Sequence, residues 1–176
     1  MVITDFIIII CLMLSAFFSG MEIAFVSSNK IYLEIEKQQS GIIAKLLSFI
    51  TKNPSRFIAT MLVGNNFSLV IYGIFMGDRI LQIMFPETLH ALPISIKIIL
   101  IQTLISTLII LITAEFLPKV IFQQFSNTFM KVFAFPTAIF YFIFSPITAM
   151  IMSISDLILM KFFSVEGDQI QFTFSK

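Results

Sequence analysis

Long apolar runs alternate along the chain with short segments of mixed polarity, and the lengths of the runs predict the architecture. A helix that crosses the ~30 Å hydrocarbon layer of a membrane needs about 20 residues at 1.5 Å per residue. Three nearly uncharged runs are long enough: Ile3 to Val26, Phe57 to Gly77, and Ile98 to Leu117. The pattern therefore predicts three transmembrane helices.

Two segments of mixed polarity connect these runs. In 29-NKIYLEIEKQQSGIIAKLLSFITKNPSR-56, apolar residues recur among charged ones at helical spacing. This spacing is typical of one or two interfacial helices, and the Asn53-Pro54 pair should end them. The second connection, 78-DRILQIMFPETLHALP-93, contains two prolines and is predicted to be a loop.

A fourth apolar segment, residues 132–163, allows two arrangements. It is long enough to span a membrane, but Pro136 and Pro146 would break a straight span, and Asp156 adds a charge. We expect a kinked helix pair that lies along the inner membrane boundary as a belt. A fourth crossing, which would place the C-terminus outside, is the alternative.

Basic residues predict the orientation of the chain. The first connection carries more of them than the second: Lys30, Lys37, Lys45, Lys52 and Arg56 against Arg79 and Lys97. Short cytoplasmic connections are enriched in Lys and Arg, so the first connection should be cytoplasmic. We therefore expect a multi-pass protein of the cell (inner) membrane, with its N-terminus outside and its C-terminus in the cytoplasm.

The composition supports the membrane assignment and excludes several classes of protein. The chain is 58% hydrophobic and 12% charged, whereas a soluble domain is about 45–50% apolar and about 25% charged. A net charge of +1 excludes a strongly basic nucleic-acid binder. The single cysteine, Cys11, excludes an intrachain disulfide. We find no phosphate-binding loop and no nucleophilic triad, so no enzymatic activity is expected.

Polar clusters interrupt the apolar runs in three places: 15-SAFFSGMEIA-24, 63-VGNNFS-68, and 112-ITAEFLPKV-120. In the first cluster, Ser15, Ser19 and Glu22 share one helix face. Counted from the predicted boundaries, Ser15, Ser19, Asn65 and Glu115 lie within about 12 Å of the cytoplasmic side. Three spans therefore place oxygen-bearing side chains in one layer of the inner half of the membrane.

Such a layer suits a hard cation. Hydroxyl, amide and carboxylate oxygens, together with backbone carbonyls, are the ligands of Mg²⁺, Ca²⁺ and Na⁺. Gly20 and Gly64 permit a bend or an unwound turn, and Pro118 should free a carbonyl near Ala114. Neither His nor Cys belongs to the clusters, so a zinc or copper site is not expected.

Structural roles could explain some of these polar residues. Polar side chains in spans often hydrogen-bond neighbouring helices, at about 0.6 kcal/mol each, which would account for Ser15 or Asn66 alone. Glu22 could contact lipid headgroups or pair with Lys30 as well as it could bind an ion. An acid inside a span costs at least ~2.5 kcal/mol on insertion scales and is functional by default. Glu115 is therefore the strongest candidate, although Lys119 could neutralise it.

Three motifs carry a family resemblance: LSAFFSGMEIAF (14–25), NPSRFIATMLVGNN (53–66) and AEFLPK (114–119). In this order they resemble the transmembrane domain of the CNNM/CorC family, which is associated with magnesium and cobalt efflux. The resemblance extends from about residue 5 to about residue 165. It implies an all-α membrane fold of three transmembrane helices plus a juxtamembrane belt helix, assembled as a homodimer.

The same resemblance implies a dehydrated Mg²⁺ in a cavity that opens to the cytoplasm. The family site draws on two serines, the asparagine of a Gly-Asn pair, and the glutamate before a proline. The matching side chains and carbonyl donors here are Ser15, Ser19, Asn65, Glu115, Gly64 and Ala114. Many relatives carry a second asparagine one turn further on, where this chain has Ser68 and Leu69. Asn66 or Ser68 would then substitute for it, and Glu22 completes the candidate set.

Relatives usually continue into a pair of cytoplasmic CBS modules that bind ATP. The chain would then consist of a membrane domain, residues 1–165, and a linker toward such modules, residues 166–176. Our first hypothesis is a Mg²⁺ exporter, with Na⁺ entry as one driving gradient. The alternatives are a membrane scaffold with a structural or regulatory cation, and a channel. Some bacterial relatives are linked to gliding motility or haemolysis, so selectivity among Mg²⁺, Co²⁺ and Mn²⁺ stays open.

Overall fold

The computed structural model describes residues 2–84 and 96–163, and every regular element in these two ranges is helical. The helices follow in chain order: α1 Val2–Ser27, α2 Lys30–Gln38, α3 Ile42–Ile50, α4 Pro54–Met84, α5 Ile96–Ile110, α6 Leu117–Gln124, α7 Ser126–Val132 and α8 Ala134–Phe163. A π-helical turn, Leu111–Phe116, joins α5 to α6 without interrupting the helix. Within the described residues the fold is all-α, as predicted.

Four helical stretches are long and apolar enough to cross a membrane: Val2–Ser27, Pro54–Met84, Ile96–Gln124 and Ala134–Ile158. The first three contain the three predicted spans. The protein is therefore a multi-pass membrane protein. The predicted linker, residues 166–176, lies outside the described residues.

The first connection folds as predicted into two short helices, α2 and α3, before α4 begins at Pro54. Asn29 caps α2, since its Oδ1 accepts hydrogen bonds from the backbone N–H groups of Ile31 and Tyr32 at 2.9 and 3.2 Å. The backbone N–H of Asn29 donates to Asn127 Oδ1 at 2.9 Å. The cap therefore also ties the start of α2 to α7.

The loop predicted from residue 78 onward is wrong for its first seven residues, because α4 continues as a helix to Met84. Arg79 Nε forms an ion pair with Asp5 Oδ1 of α1 at 2.7 Å, and Ile80 is buried. The charged residues that suggest the end of the span therefore belong to the helix, and the Arg79–Asp5 ion pair extends the packing of α4 against α1. The remainder of the predicted loop, 85–93, lies outside the described residues.

The helix pair predicted for 132–163 is also wrong, because Ala134–Phe163 forms one helix. Pro136 lies in the first turn, where backbone N–H groups have no intrahelical acceptor in any case. Pro146 lies inside the helix, and membrane helices tolerate such a proline when neighbouring groups satisfy the freed carbonyl. Neither proline ends the helix.

The core lies in the half of the bundle that carries the first connection. Helix α1 is central and packs against α4, the π turn, α6 and α7. Phe18 of α1 is almost fully buried, and its ring meets those of Phe140 and Phe144 of α8 edge to face, at centroid distances of 4.9 and 5.9 Å. These ring contacts, together with buried Met21 and Met61, attach α8 to the α1–α4 pair.

We predict an acid-sensitive contact between α2 and α7. Lys131 Nζ donates to Glu36 at 2.9 Å, and this hydrogen bond lowers the pKa of the buried Glu36 carboxyl from its ordinary value of 4.5. The contribution of the pair to stability should be complete above that value and be lost as the pH falls through the lowered pKa. Wild type should thus lose its melting-temperature advantage over Glu36→Gln on acidification, as measured by thermal unfolding in detergent.

The matched control is Glu34→Gln, because Glu34 pairs with Lys37 at the exposed surface of the same helix. An exposed pair of this kind contributes little, so Glu34→Gln should melt like wild type at every pH. An equal effect of the two substitutions would contradict the assignment.

Candidate cation site

Helices α1 and α4 bring the first two polar clusters into direct contact. Ser15 is fully buried on α1, and its Oγ donates to Oδ1 of the buried Asn65 on α4 at 2.6 Å. The two helices run antiparallel, since Asp5 meets Arg79 at the far end of the same interface. Two members of the predicted layer of oxygens, Ser15 and Asn65, are therefore in direct contact between two helices.

Two glycines permit the close approach of helices around this contact. A Cβ added to Gly64 would lie 2.6 Å from the ring of Phe18, and one added to Gly20 would lie 2.6 Å from the ring of Phe122. Both glycines lie within continuous helix, so neither is the unwound turn that their sequence context suggests. Their role is to let α4 pack on α1 and α1 on α6. The sequence alone does not identify Phe18 and Phe122 as the side chains that pack on these glycines. A glycine inside a span is nevertheless a sign that a large side chain of another helix packs against it.

Ser19 is fully buried one turn after Ser15, and among the described residues its hydroxyl has no hydrogen-bond partner. Other buried hydroxyls in the helices, such as those of Thr51, Thr60 and Ser68, donate to the carbonyl four residues earlier. An unsatisfied buried hydroxyl costs about 1–3 kcal/mol. Ser19 therefore presents an unused polar group beside Ser15 and Asn65, which is the property expected of a ligand.

The third cluster lies in the π turn, where the Leu117 N–H bonds to the Ile112 carbonyl, five residues earlier. Pi turns are rare and occur often at functional sites. The turn packs against α1 and buries Ala114 completely. The sequence predicts a free carbonyl here but not the π turn. Pro118, at the start of α6, is the sequence feature that could have indicated the turn.

Glu115 belongs to this turn and is half-buried, with 30% of its side chain exposed. The predicted pairing with Lys119 is present only as a long contact, because Lys119 Nζ lies 3.9 Å from Glu115 Oε2. At this distance the two groups attract each other but form no hydrogen bond. The carboxylate oxygens of Glu115 can therefore still accept a hydrogen bond from another donor or bind a metal cation.

The other candidates form no hydrogen bond with Ser15 or Asn65 among the described residues. Asn66 is exposed, since adjacent residues of a helix point about 100° apart. Ser68 is buried and donates to the Gly64 carbonyl at 2.9 Å, so its proton already has an acceptor. Glu22 is half-buried, further toward the end of α1 than Ser19.

No group of three or more His, Cys, Asp and Glu side chains converges in the part of the chain that the structure describes. An ion at the Ser15–Asn65 contact would thus be held mainly by hydroxyl, amide and carbonyl oxygens. Such a donor set fits hard cations that bind oxygen, including Mg²⁺. It does not fit zinc or copper, which favour nitrogen and sulfur ligands.

Comparison with known proteins identifies a family for the chain. The family model of the cyclin M transmembrane N-terminal domain, CNNM, matches residues 6–175, which is nearly the whole chain. No curated protein matches the chain.

We predict that Gly64→Ala destabilises the protein by about 1–3 kcal/mol, the usual effect of overpacking a core. The added methyl group would collide with the Phe18 ring and separate α1 from α4, which would also lengthen the Ser15–Asn65 hydrogen bond. Gly73→Ala on the same helix is the control, because its Cβ would meet nothing within 4 Å. Thermal unfolding in detergent should show a loss for Gly64→Ala alone, and equal melting temperatures would contradict the close approach.

Proposed function

Because the chain belongs to the CNNM transmembrane-domain family, we propose that it is the membrane domain of a Mg²⁺ exporter that takes up a dehydrated ion from the cytoplasmic side. Membership in this family indicates a role in divalent cation transport. The observation that carries the narrower proposal is the buried Ser19 hydroxyl, which has no partner among the described residues and lies one turn from the Ser15–Asn65 contact.

The proposed ligands are the side-chain oxygens of Ser15, Ser19, Asn65 and Glu115, with carbonyls of Gly64 and Ala114 as further donors. The first three side chains are buried on two packed helices, and Ala114 is buried where the π turn meets α1. Their neutral oxygens would replace water around the ion, and Glu115 would supply negative charge. Mg²⁺ loses its hydration water reluctantly, so binding should be sensitive to any lost ligand.

We assign lesser roles to the two remaining candidates. Asn66 is exposed on another face of α4 and is not among the proposed ligands. Glu22 is half-buried toward the end of α1 that leads into the first connection. Its charge would raise the local concentration of cations at the cytoplasmic entrance.

We also propose that α8 is a belt rather than a fourth crossing, as the family resemblance implies. Helix α8 contacts the first turns of α4, where Ser145 accepts a hydrogen bond from Arg56 and Thr148 accepts one from Thr60 at 3.2 Å. A belt places the C-terminus in the cytoplasm and the N-terminus outside.

A homodimer is part of the proposal. Helix α5 has no buried residue, although it forms the first part of Ile96–Gln124, an apolar stretch long enough to span a membrane. A second copy packed against it would bury part of this surface. Sodium entry as the driving gradient, and control by ATP through cytoplasmic modules beyond residue 165, remain predictions from the family resemblance.

We predict that Glu115→Gln abolishes transport without unfolding the protein. The substitution keeps the shape of the side chain but removes the charge that balances the ion, so the rate should fall by at least about a hundredfold. The measurement is Mg²⁺ flux into or out of liposomes that contain an Mg²⁺ indicator, with and without a Na⁺ gradient. Glu34→Gln, an exposed acid on α2, is the control for loss of charge elsewhere.

Unchanged flux in Glu115→Gln would contradict the mechanism. If neither protein transports Mg²⁺ while Mg²⁺ still raises the melting temperature of wild type, the cation has a structural role in a membrane scaffold. Conductance that needs no gradient of a second ion would instead identify a channel.

Ser19→Ala tests the site without a transport assay. Removing an unsatisfied hydroxyl is nearly neutral or stabilising in the absence of an ion, so in EDTA the variant should melt at or above the wild-type temperature. The increase in melting temperature on adding Mg²⁺ should shrink, because one ligand is gone. Thr137→Val is the matched control, since the buried Thr137 hydroxyl on α8 also lacks a partner among the described residues.

Thr137→Val should leave the Mg²⁺-dependent increase intact. If Ser19→Ala keeps the full increase, or if Thr137→Val loses it equally, Ser19 is not a ligand.

A further inference from the structure

A basic cavity of about 530 Å³ opens beside the junction of α2 and α3. Its lining includes three lysines and two serines: Lys37, Lys45, Lys52, Ser40 and Ser48. Lys37 pairs with Glu34, but Lys45 and Lys52 are exposed and form no ion pair with any described residue. No acidic side chain is among the described residues that line it. The positive charges of Lys45 and Lys52 in the cavity are therefore not balanced by an acidic side chain of the described residues.

An apolar groove of about 380 Å³ lies next to this cavity, between α3 and α8. Its walls are entirely hydrophobic: Leu46, Phe49, Phe135, Ala138, Ile139, Phe142 and Ile143. Phe49 lines both the groove and the basic cavity, so the two meet at its ring. That ring is held edge to face against Tyr141 at 5.3 Å between centroids. The cationic cavity and the apolar groove thus share one wall, the Phe49 ring.

We propose that the cavity and the groove together bind one anionic phospholipid of the cytoplasmic leaflet. Lys45 and Lys52 would hold the headgroup phosphate, with the hydroxyls of Ser40 and Ser48 as further donors, and one acyl chain would lie in the groove. Basic pockets on the cytoplasmic side of membrane helices bind anionic headgroups. A free phosphate ion or a phosphorylated protein would use the lysines but not a groove with seven apolar side chains.

The position of the site gives the lipid a structural consequence. The groove is formed by α3 and α8, and α8 also packs its Phe140 and Phe144 rings on Phe18 of α1. Phe18 in turn fills the space beside Gly64, next to Asn65. A bound lipid would therefore fix the position of α8 against the helices of the candidate cation site. The lipid proposal itself does not depend on which ion the protein carries.

The test counts retained lipids on the full chain by native mass spectrometry in detergent. The lipids are phosphatidylglycerol and phosphatidylcholine with identical acyl chains, titrated against wild type. We expect phosphatidylglycerol to bind more tightly, and Lys45→Gln/Lys52→Gln to weaken it about thirtyfold, which is about fivefold for each lysine near an anionic headgroup. The control is Lys97→Gln/Lys161→Gln, which replaces two exposed lysines that are remote from the cavity in sequence. It has the same net charge as Lys45→Gln/Lys52→Gln and should bind phosphatidylglycerol like wild type.

A second pair of variants separates loss of the site from loss of fold. Lys45→Arg/Lys52→Arg keeps both charges and should retain the lipid, whereas Ile139→Ser/Phe142→Ser should weaken it while leaving both lysines in place. Both serine substitutions replace exposed side chains, so melting temperatures should stay close to that of wild type. Equal retention of the two lipids by wild type would overturn the proposal.

Free anions provide the last arm of the test. Inorganic phosphate and glycerol 3-phosphate carry the headgroup charge but no acyl chain, and at millimolar concentration they should not displace phosphatidylglycerol. Displacement would show a site for soluble anions and overturn the proposal. Equal weakening by the control lysine pair would show general electrostatic attraction and overturn it as well.

Discussion

The close packing of α1 on α4 is the constraint on which the rest of the structure depends. Gly64 lets the Phe18 ring lie against the backbone of α4, and the same approach brings Ser15 within 2.6 Å of Asn65. In a membrane, burial of apolar surface does not drive helices together, so small residues and interhelical hydrogen bonds must do so. The residues that hold these helices together are thus the same ones that supply oxygens to the candidate site.

The sequence predicts those features of the structure that depend only on residues close together in the chain. The helices that contain the three predicted spans, and the two short helices of the first connection, depend on run length and spacing, and the structure confirms these helices. The extension of α4 depends on a pair between Arg79 and Asp5, residues far apart in the chain, and no local pattern shows it. The continuity of α8 depends on where in the helix each proline falls. These are tertiary and positional facts, which hydropathy does not contain.

The candidate site shows the same division. Residue counting correctly places Ser15 and Asn65 at one depth, because helix rise is constant. It cannot separate Asn65 from Asn66, since that depends on how α4 is rotated about its axis against α1. Nor can it show that Ser19 lacks a partner among the described residues, because this requires knowing where every neighbouring carbonyl lies. The metal ligands themselves remain a proposal that the contacts around Ser15, Ser19 and Asn65 support.

The π turn has a consequence for how the chain tolerates insertions and deletions. A π turn holds one residue more than an α turn, so Leu111–Phe116 amounts to an α-helix with a single inserted residue. Deleting one residue there would restore regular helix while α5 and α6 kept their faces toward the same neighbours, whereas Ala114 and Glu115 would turn away from theirs. At this turn a change of length can alter the site and spare the packing, which makes the turn a place where relatives could diverge in cargo without diverging in fold.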